Sequence, residues 1–297
     1  MNRVCPRREG DWQSKNEVVI MKTNKLVKIL TIALSLTLLF VAMAGCSSGS
    51  EDNVIKVGVS AGPYEDMFRE AIEPTLLEKG YSVEYVQFSD YVQPNKALAD
   101  GEINVNIFQH SVYLRNFSDE HNLDLTYITE IPTAGMGVFS ANIGSINDIP
   151  NGASVAIPND VTNLARAIRV LEQAGLVTID PSVNPAEATQ FTLSGNPKNL
   201  TFVEIEAPQL PRSLESVDLA VINGNFALSA GLNLSDAIFN EVLQDGYVNV
   251  IAVRTEDQDA QFARDIVSIV HSDAFRSVIE DSSKQYESFF RPRSLFP

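Results

Sequence analysis

The residues best placed for covalent chemistry are Gly58-Val59-Ser60-Ala61-Gly62, a G-x-S-x-G pattern between a strand-like run and a helix-like one. That is the local setting of a nucleophile elbow, where a serine on a sharp turn attacks an acyl carbon. The base would have to be His110, His121 or His271, the three histidines of the chain. A structural reading competes, because small residues are common at βα turns, where glycine permits a tight bend. This turn also follows the first strand of the domain, whereas an elbow normally follows several. A βα turn is therefore the preferred reading, with an extracytoplasmic hydrolase using Ser60 as the alternative. A metal centre has little support. Three separated histidines and the two cysteines, Cys5 and Cys46, make no ligand cluster, and the carboxylates are scattered without an EF-hand loop. No cofactor is implied.

Three other groups of residues suit binding rather than catalysis. In residues 156–166 a strand ends at Pro158, and Asp160 or Thr162 can cap the helix that follows. Asn163 and Arg166 lie three apart and share one face of its first turns. Free N–H groups at the helix start and an arginine fork beside them match a carboxylate. The competing reading is a capped surface helix with a solvated arginine. A second group combines Tyr91 with Phe108, His110 and Tyr113 near strand ends, as core packing or as the wall of an apolar pocket. A third places Asn223 where a buried strand stops and Asn249 inside an apolar strand; a buried amide needs partners.

Cys46 carries a chemistry of its own. Met43-Ala44-Gly45-Cys46 closes an apolar run over residues 29–44, preceded by Lys22, Lys25 and Lys28. A basic start, a short apolar run and small residues at a cut site make a secretory signal. Cysteine after Ala-Gly makes it a lipoprotein signal, with the thiol diacylated and the chain cut before Cys46. The run is shorter than the roughly 20 residues of a spanning helix. Residues 1–45 are thus a leader, with Met21 as the expected start of translation, since residues 1–20 match no part of an export signal. Residues 46–53 are a flexible tether. The expected location is the outer face of the cell membrane.

The leader holds seven basic and three acidic residues, which leaves 15 against 35 in the mature chain, a net charge of −20. That argues against nucleic acid as partner, because phosphate binding needs a basic footprint. It also argues against the protein body lying on anionic lipid.

These residues need elements to position them. Residues 54–60, 81–88 and 103–108 read as strands, and 64–79, 92–100 and 111–121 as helices. The alternation predicts a parallel sheet with helices on both faces. The pattern resets at 136, with strands over 136–140, 153–157, 202–205, 219–222 and 247–253. Helices are expected over 163–174, 257–270 and 272–286, and an irregular stretch with three prolines over 176–201. Two α/β lobes follow: 54–133 plus 248–297 as the first, and 134–247 as the second. Such lobes bind ligands in the cleft between them.

The chain resembles the methionine-binding lipoproteins that feed ABC importers. The resemblance is carried by IKVGV at 55–59, FSDYVQPN at 88–95, NIFQH at 106–110, AIPND at 156–160, Thr162-Asn163, EIEAPQLPR at 204–212, AVINGN at 220–225 and the lipobox. It covers about residues 43–270. It implies a two-lobed, periplasmic-binding-protein-like fold of type II that closes on a free amino acid and performs no chemistry on it. An aromatic pocket from Tyr91, Phe108, His110 and Tyr113 is implied, with polar contacts from Asn163, Arg166, Asn223 and Asn249. Arg166 would hold the α-carboxylate and the asparagines the α-ammonium. The implied partners are methionine or a close relative, an ABC permease with its ATPase, and the membrane through lipid on Cys46. The chain departs from the family where Val112 replaces the usual proline, where Asp245-Gly246 replaces Ser-Pro and over residues 290–297, where the family's glycine- and proline-containing end is not recognisable; another amino acid or a short methionine peptide is the alternative ligand.

Overall fold

A computed structural model describes residues 53–296. The leader, the expected start at Met21, Cys46 and residues 46–52 of the tether lie outside the described residues.

The first half runs β1 (Val54–Ser60), α1 (Tyr64–Ala71), α2 (Glu73–Glu78), β2 (Ser82–Phe88), α3 (Gln93–Ala99), β3 (Val105–His110), α4 (Ser111–His121) and β4 (Leu125–Glu130). The chain then crosses to a second set. This comprises β5 (Gly137–Phe139), β6 (Ser154–Pro158), α5 (Val161–Gln173), β7 (Thr178–Ile179), β8 (Leu193–Gly195), β9 (Thr201–Ile205), α6 (Leu210–Ser213), β10 (Leu219–Ile222), α7 (Gly224–Ser229) and β11 (Phe239–Asn240). It returns as β12 (Asn249–Arg254), α8 (Gln261–Val270) and α9 (Asp273–Glu280).

Two five-stranded sheets result, in the orders β2-β1-β3-β12-β4 and β11-β5-β10-β6-β9. Neither is the all-parallel sheet that the alternation predicts. β1 pairs in parallel with β2 and β3, but β12 is antiparallel to both β3 and β4. In the second sheet β5 is antiparallel to β10 while β6 is parallel to β10 and β9. The reason is topological. β12 enters the first sheet from the second one, so its direction is set by the crossing and not by a local βαβ connection.

Other expectations shift for local reasons. The helix expected over 64–79 breaks at Ile72, because Pro74 has no N–H to continue the ladder and instead sits in the first turn of α2. The helix expected over 272–286 ends at Glu280, and Tyr286 is instead wholly buried, donating its hydroxyl to Glu70 at 2.9 Å. The helix expected from 257 begins at Gln261 after a 3-10 turn. Residues 176–201 contain the small β7–β8 pair and short 3-10 turns.

Apolar burial fixes each half. Met67 and Phe68 of α1, Ile266 of α8 and Phe275 and Ile279 of α9 close over Val57, Ile107 and Ile251 of the first sheet. Leu98 and Leu114 cover Val250 and Ala252 in a separate cluster. In the second sheet Ile168 and Leu171 of α5 pack with Val155 and Val221. Burying each such side chain contributes about 1.5–3 kcal/mol, and the strand ends, which carry the polar residues, are thereby held in place.

Candidate functional site

Four strand ends deliver the site. β3 is buried along its length, although it carries Asn106, Gln109 and His110. Its amides are satisfied by one another: Asn95 donates to Gln109 at 2.8 Å, while Gln109 donates to Asn95 at 2.6 Å and to Asn106 at 2.9 Å. Asn106 donates to Asn95 at 2.9 Å. This closed network joins β3 to the start of α3 and so fixes Phe108 and His110 relative to Tyr91.

His110 caps α4: its Nδ1 accepts the Tyr113 amide at 3.0 Å. The ring proton is therefore on Nε2, which donates to Asn163 Oδ1 at 3.3 Å across the cleft. Burial lowers the His110 pKa well below its ordinary value, and the nearby Arg166 charge adds to this. His110 is a neutral donor.

β6 ends at Pro158, and Asp160 caps α5 by accepting the Asn163 amide at 3.0 Å. Asp160 also accepts from Asn163 Nδ2, and Asn163 Oδ1 accepts from Asn223 Nδ2 at 2.9 Å. Asn163 is thus saturated by its neighbours. Asn223, at the end of β10, keeps a buried Oδ1 with no partner among the described residues. At the start of β12, Asn249 donates from Nδ2 to the Phe108 carbonyl at 3.1 Å. Its Oδ1 has no partner among the described residues.

Arg166 is not a free cation. Its Nε donates to Glu241 Oε1 at 2.8 Å and its Nη2 to Glu241 Oε2 at 2.6 Å, with both side chains nearly inaccessible. Burial alone would lower the Arg166 pKa, and Glu241 outweighs it and raises it. Nη1 donates to no described residue.

All eight residues expected for ligand contact line one pocket, together with Tyr64, Gln109, Ala134, Gly224 and Asn225. The pocket encloses about 310 Å³ not filled by atoms, part of it open to solvent. It is a narrow slot at the small end of ligand sites. Tyr91 is the hub of its apolar wall, with ring centroids 4.9 Å from Phe226, 5.5 Å from Phe108 and 5.8 Å from Tyr113.

Three contributors were not anticipated. Tyr64 accepts the Ala134 amide at 3.1 Å and gives its own proton to no described acceptor; burial pushes its pKa up, so it stays a donor. Its place on the apolar face of α1 reads as core in the sequence. Asn225 ties the two halves, accepting from the Tyr91 hydroxyl at 2.6 Å and donating to the Ala61 carbonyl at 3.0 Å. Gly62, at φ 126°, leaves room for this contact, since a Cβ there would lie 2.7 Å from the Asn225 carbonyl oxygen. Glu241 has no sequence signal, being 75 positions from Arg166.

The hydrolase alternative fails on geometry. Ser60 donates to the Asp90 carbonyl at 3.3 Å, and no histidine reaches it. His110 is engaged as above, His121 Nδ1 lies 3.0 Å from the Phe117 carbonyl and His271 Nε2 lies 3.4 Å from Thr129 Oγ1. Among the described residues no three His, Cys, Asp or Glu side chains cluster as a metal site, and no helix is long and apolar enough to cross a membrane.

Comparison with known proteins adds independent findings. The family model described as NlpA lipoprotein matches residues 55–290. The chain is similar to the D-methionine-binding lipoprotein MetQ of Salmonella typhi, 39% identical over 237 residues, covering 78% of this chain and 87% of the relative. With the MetQ of Escherichia coli K12 the identity is 38% over 236 residues, at the same coverage. A nutrient-binding protein from Burkholderia cenocepacia, solved bound to methionine, superposes with a TM-score of 0.73 at 35% identity, covering 79% of this chain and 97% of that one. The substrate-binding protein of a methionine transporter from Streptococcus pneumoniae gives 0.73 at 32% identity, with 80% and 96% covered.

Proposed function

The chain belongs to the NlpA lipoprotein family, and on that premise we propose that it captures free methionine in the slot between its sheets and delivers it to an ABC importer. The observation that carries this reading is a set of unpartnered polar groups facing one aromatic slot. Tyr64 O–H and Arg166 Nη1 are donors for an α-carboxylate, and Asn223 Oδ1 and Asn249 Oδ1 are acceptors for an α-ammonium. Tyr91, Phe108, His110 and Tyr113 then wall an unbranched side chain, and a thioether sulfur gains modestly from ring contacts. Asn163 acts by holding Asn223 and His110. The slot is too small for more than one amino acid or a very short peptide.

In this reading residues 54–133 with 248–297 form one lobe and 134–247 the other. Ligand contacts to both lobes favour the closed arrangement, with Asn225 as a fastening between them. Capture and release involve no covalent step. The chain is held on the outer face of the membrane by lipid on Cys46, within reach of a permease and its ATPase. The test is mass spectrometry of small molecules released by denaturing the purified protein. Methionine at about one molecule per chain supports the reading, as expected for a closed site of this size. A different molecule at that stoichiometry replaces it.

A further inference from the structure

We propose that Glu241 makes this cleft select a net-neutral zwitterion over an anion or a cation of the same shape. The proposal rests on the amino-acid reading above and goes beyond it by assigning the charge preference to one residue outside the pocket lining.

A bare guanidinium buried beside a pocket would be costly and would draw any carboxylate. Here the Arg166 charge is cancelled before a ligand arrives. Glu241 closes a two-pronged fork on Nε and Nη2. Glu241 is itself over-determined: its Oε2 accepts the Met136 amide at 2.8 Å and its own amide donates to the Met136 carbonyl at 2.9 Å. The fork uses one N–H on Nε and one on Nη2, which leaves the two N–H groups of Nη1 and the second of Nη2, and it fixes where they point. Glu241 is thus a positioning residue. A neutral amide has a single acceptor oxygen and could close only one prong, whereas the carboxylate closes both and also neutralises Arg166.

The consequence follows from the remaining charges. A ligand bearing only a carboxylate meets a guanidinium whose charge Glu241 has already cancelled, and it brings no counter-charge of its own. A ligand bearing only an ammonium finds the neutral oxygens of Asn223 and Asn249. The zwitterion brings its own counter-charge and leaves both ends hydrogen-bonded.

The test is calorimetric titration of the mature protein with methionine, with 4-(methylthio)butanoate (carboxylate only) and with 3-(methylthio)propylamine (ammonium only). Wild type should prefer methionine over each by more than about a hundredfold, since unbalanced charge at a desolvated site is strongly penalised. Glu241→Gln leaves the Arg166 charge in surplus and should narrow the preference over the carboxylate analogue by at least about tenfold. Glu241→Asp keeps the charge but shifts the fork, so it should weaken methionine while leaving that preference within about threefold of wild type. Equal weakening of both ligands by Glu241→Gln, or a narrowed preference in Glu241→Asp, overturns the assignment. Where Glu241→Gln does not fold, the wild-type and Glu241→Asp titrations decide. Wild type binding methionine and the carboxylate analogue alike overturns this proposal alone. Wild type binding none of the three overturns the amino-acid reading with it.

Discussion

The amide of Val112 donates to the carbonyl of Gly246 at 3.1 Å, which joins the two positions that the sequence resemblance marks as departures from a usual proline. Proline at 112 would have no N–H to give. Gly246 stands at φ 86°, which proline cannot adopt, and a Cβ on it would meet Val112 Cγ2 at 2.9 Å. The two departures are one structural unit. It joins the start of α4, next to His110, to the segment carrying Tyr247, whose ring lies 4.9 Å from that of His110.

Gly246→Ala should therefore destabilise the fold by about 1–2 kcal/mol from the left-handed backbone alone, with a steric addition from Val112. Val112→Ala should relieve the steric part, so a double-mutant cycle by urea unfolding should show a coupling of about 0.5 kcal/mol or more. Additivity within about 0.3 kcal/mol would mean the two positions are independent.

Asn223→Ala removes an acceptor that has no partner among the described residues, and a donor to Asn163 Oδ1, which retains His110. The unliganded melt should change little. A hydrogen bond to a charged ammonium is worth about 1.5–3 kcal/mol, so methionine affinity should fall about tenfold to a hundredfold. The rise in melting temperature with methionine should shrink accordingly. An unchanged rise would remove Asn223 from the ligand's contacts. Asn249→Ala is expected to behave likewise.

His110 gives the stability a pH dependence of known sign. Burial depresses its folded pKa, while in the unfolded chain it protonates near pH 6.5. Between those values the unfolded state binds more protons, so the contribution present above about pH 6.5 is lost as pH falls through the folded value. His110→Gln should reduce the stability lost between about pH 7.5 and about pH 5.5 by up to about 1.4 kcal/mol. Asp160, which burial raises, titrates with the opposite sign in both proteins and cancels in the comparison. An identical loss in wild type and variant, by urea unfolding at both pH values, would show that burial does not depress the folded pKa of His110.

Much of the scaffold was readable where a local signal exists. β1, β10 and α4 stand almost where alternation and terminal residues put them. Pro74 was a readable signal for the break after α1 that a periodicity reading passes over. β4 was missed because its half-buried LTYITE run lacks the apolar density of the other strands. The direction of β12 is a consequence of the crossing and has no local signature. The pocket's aromatic and amide residues were legible because they sit at strand ends and caps. Glu241 and Tyr64 were not: one lies in an irregular segment and acquires its partner only through the tertiary fold, and the other looks like core on an amphipathic helix.

Cys46 lies outside the described residues, and its role is tested in cells. With Cys46→Ala the protein should be released or left unprocessed, as read by membrane fractionation and the mass of the mature N-terminus. A wild-type mature chain with a free, unmodified Cys46 would contradict the anchor.

The most direct measurement of the central claim is a calorimetric titration of methionine into protein unfolded in denaturant, freed of carried ligand and refolded. The account predicts saturable binding at about one site per chain, as a single closed cleft requires, with loss of most of the affinity in Arg166→Ala. Absence of saturable binding up to about 1 mM methionine, where the free energy would be only about −4 kcal/mol, would contradict it.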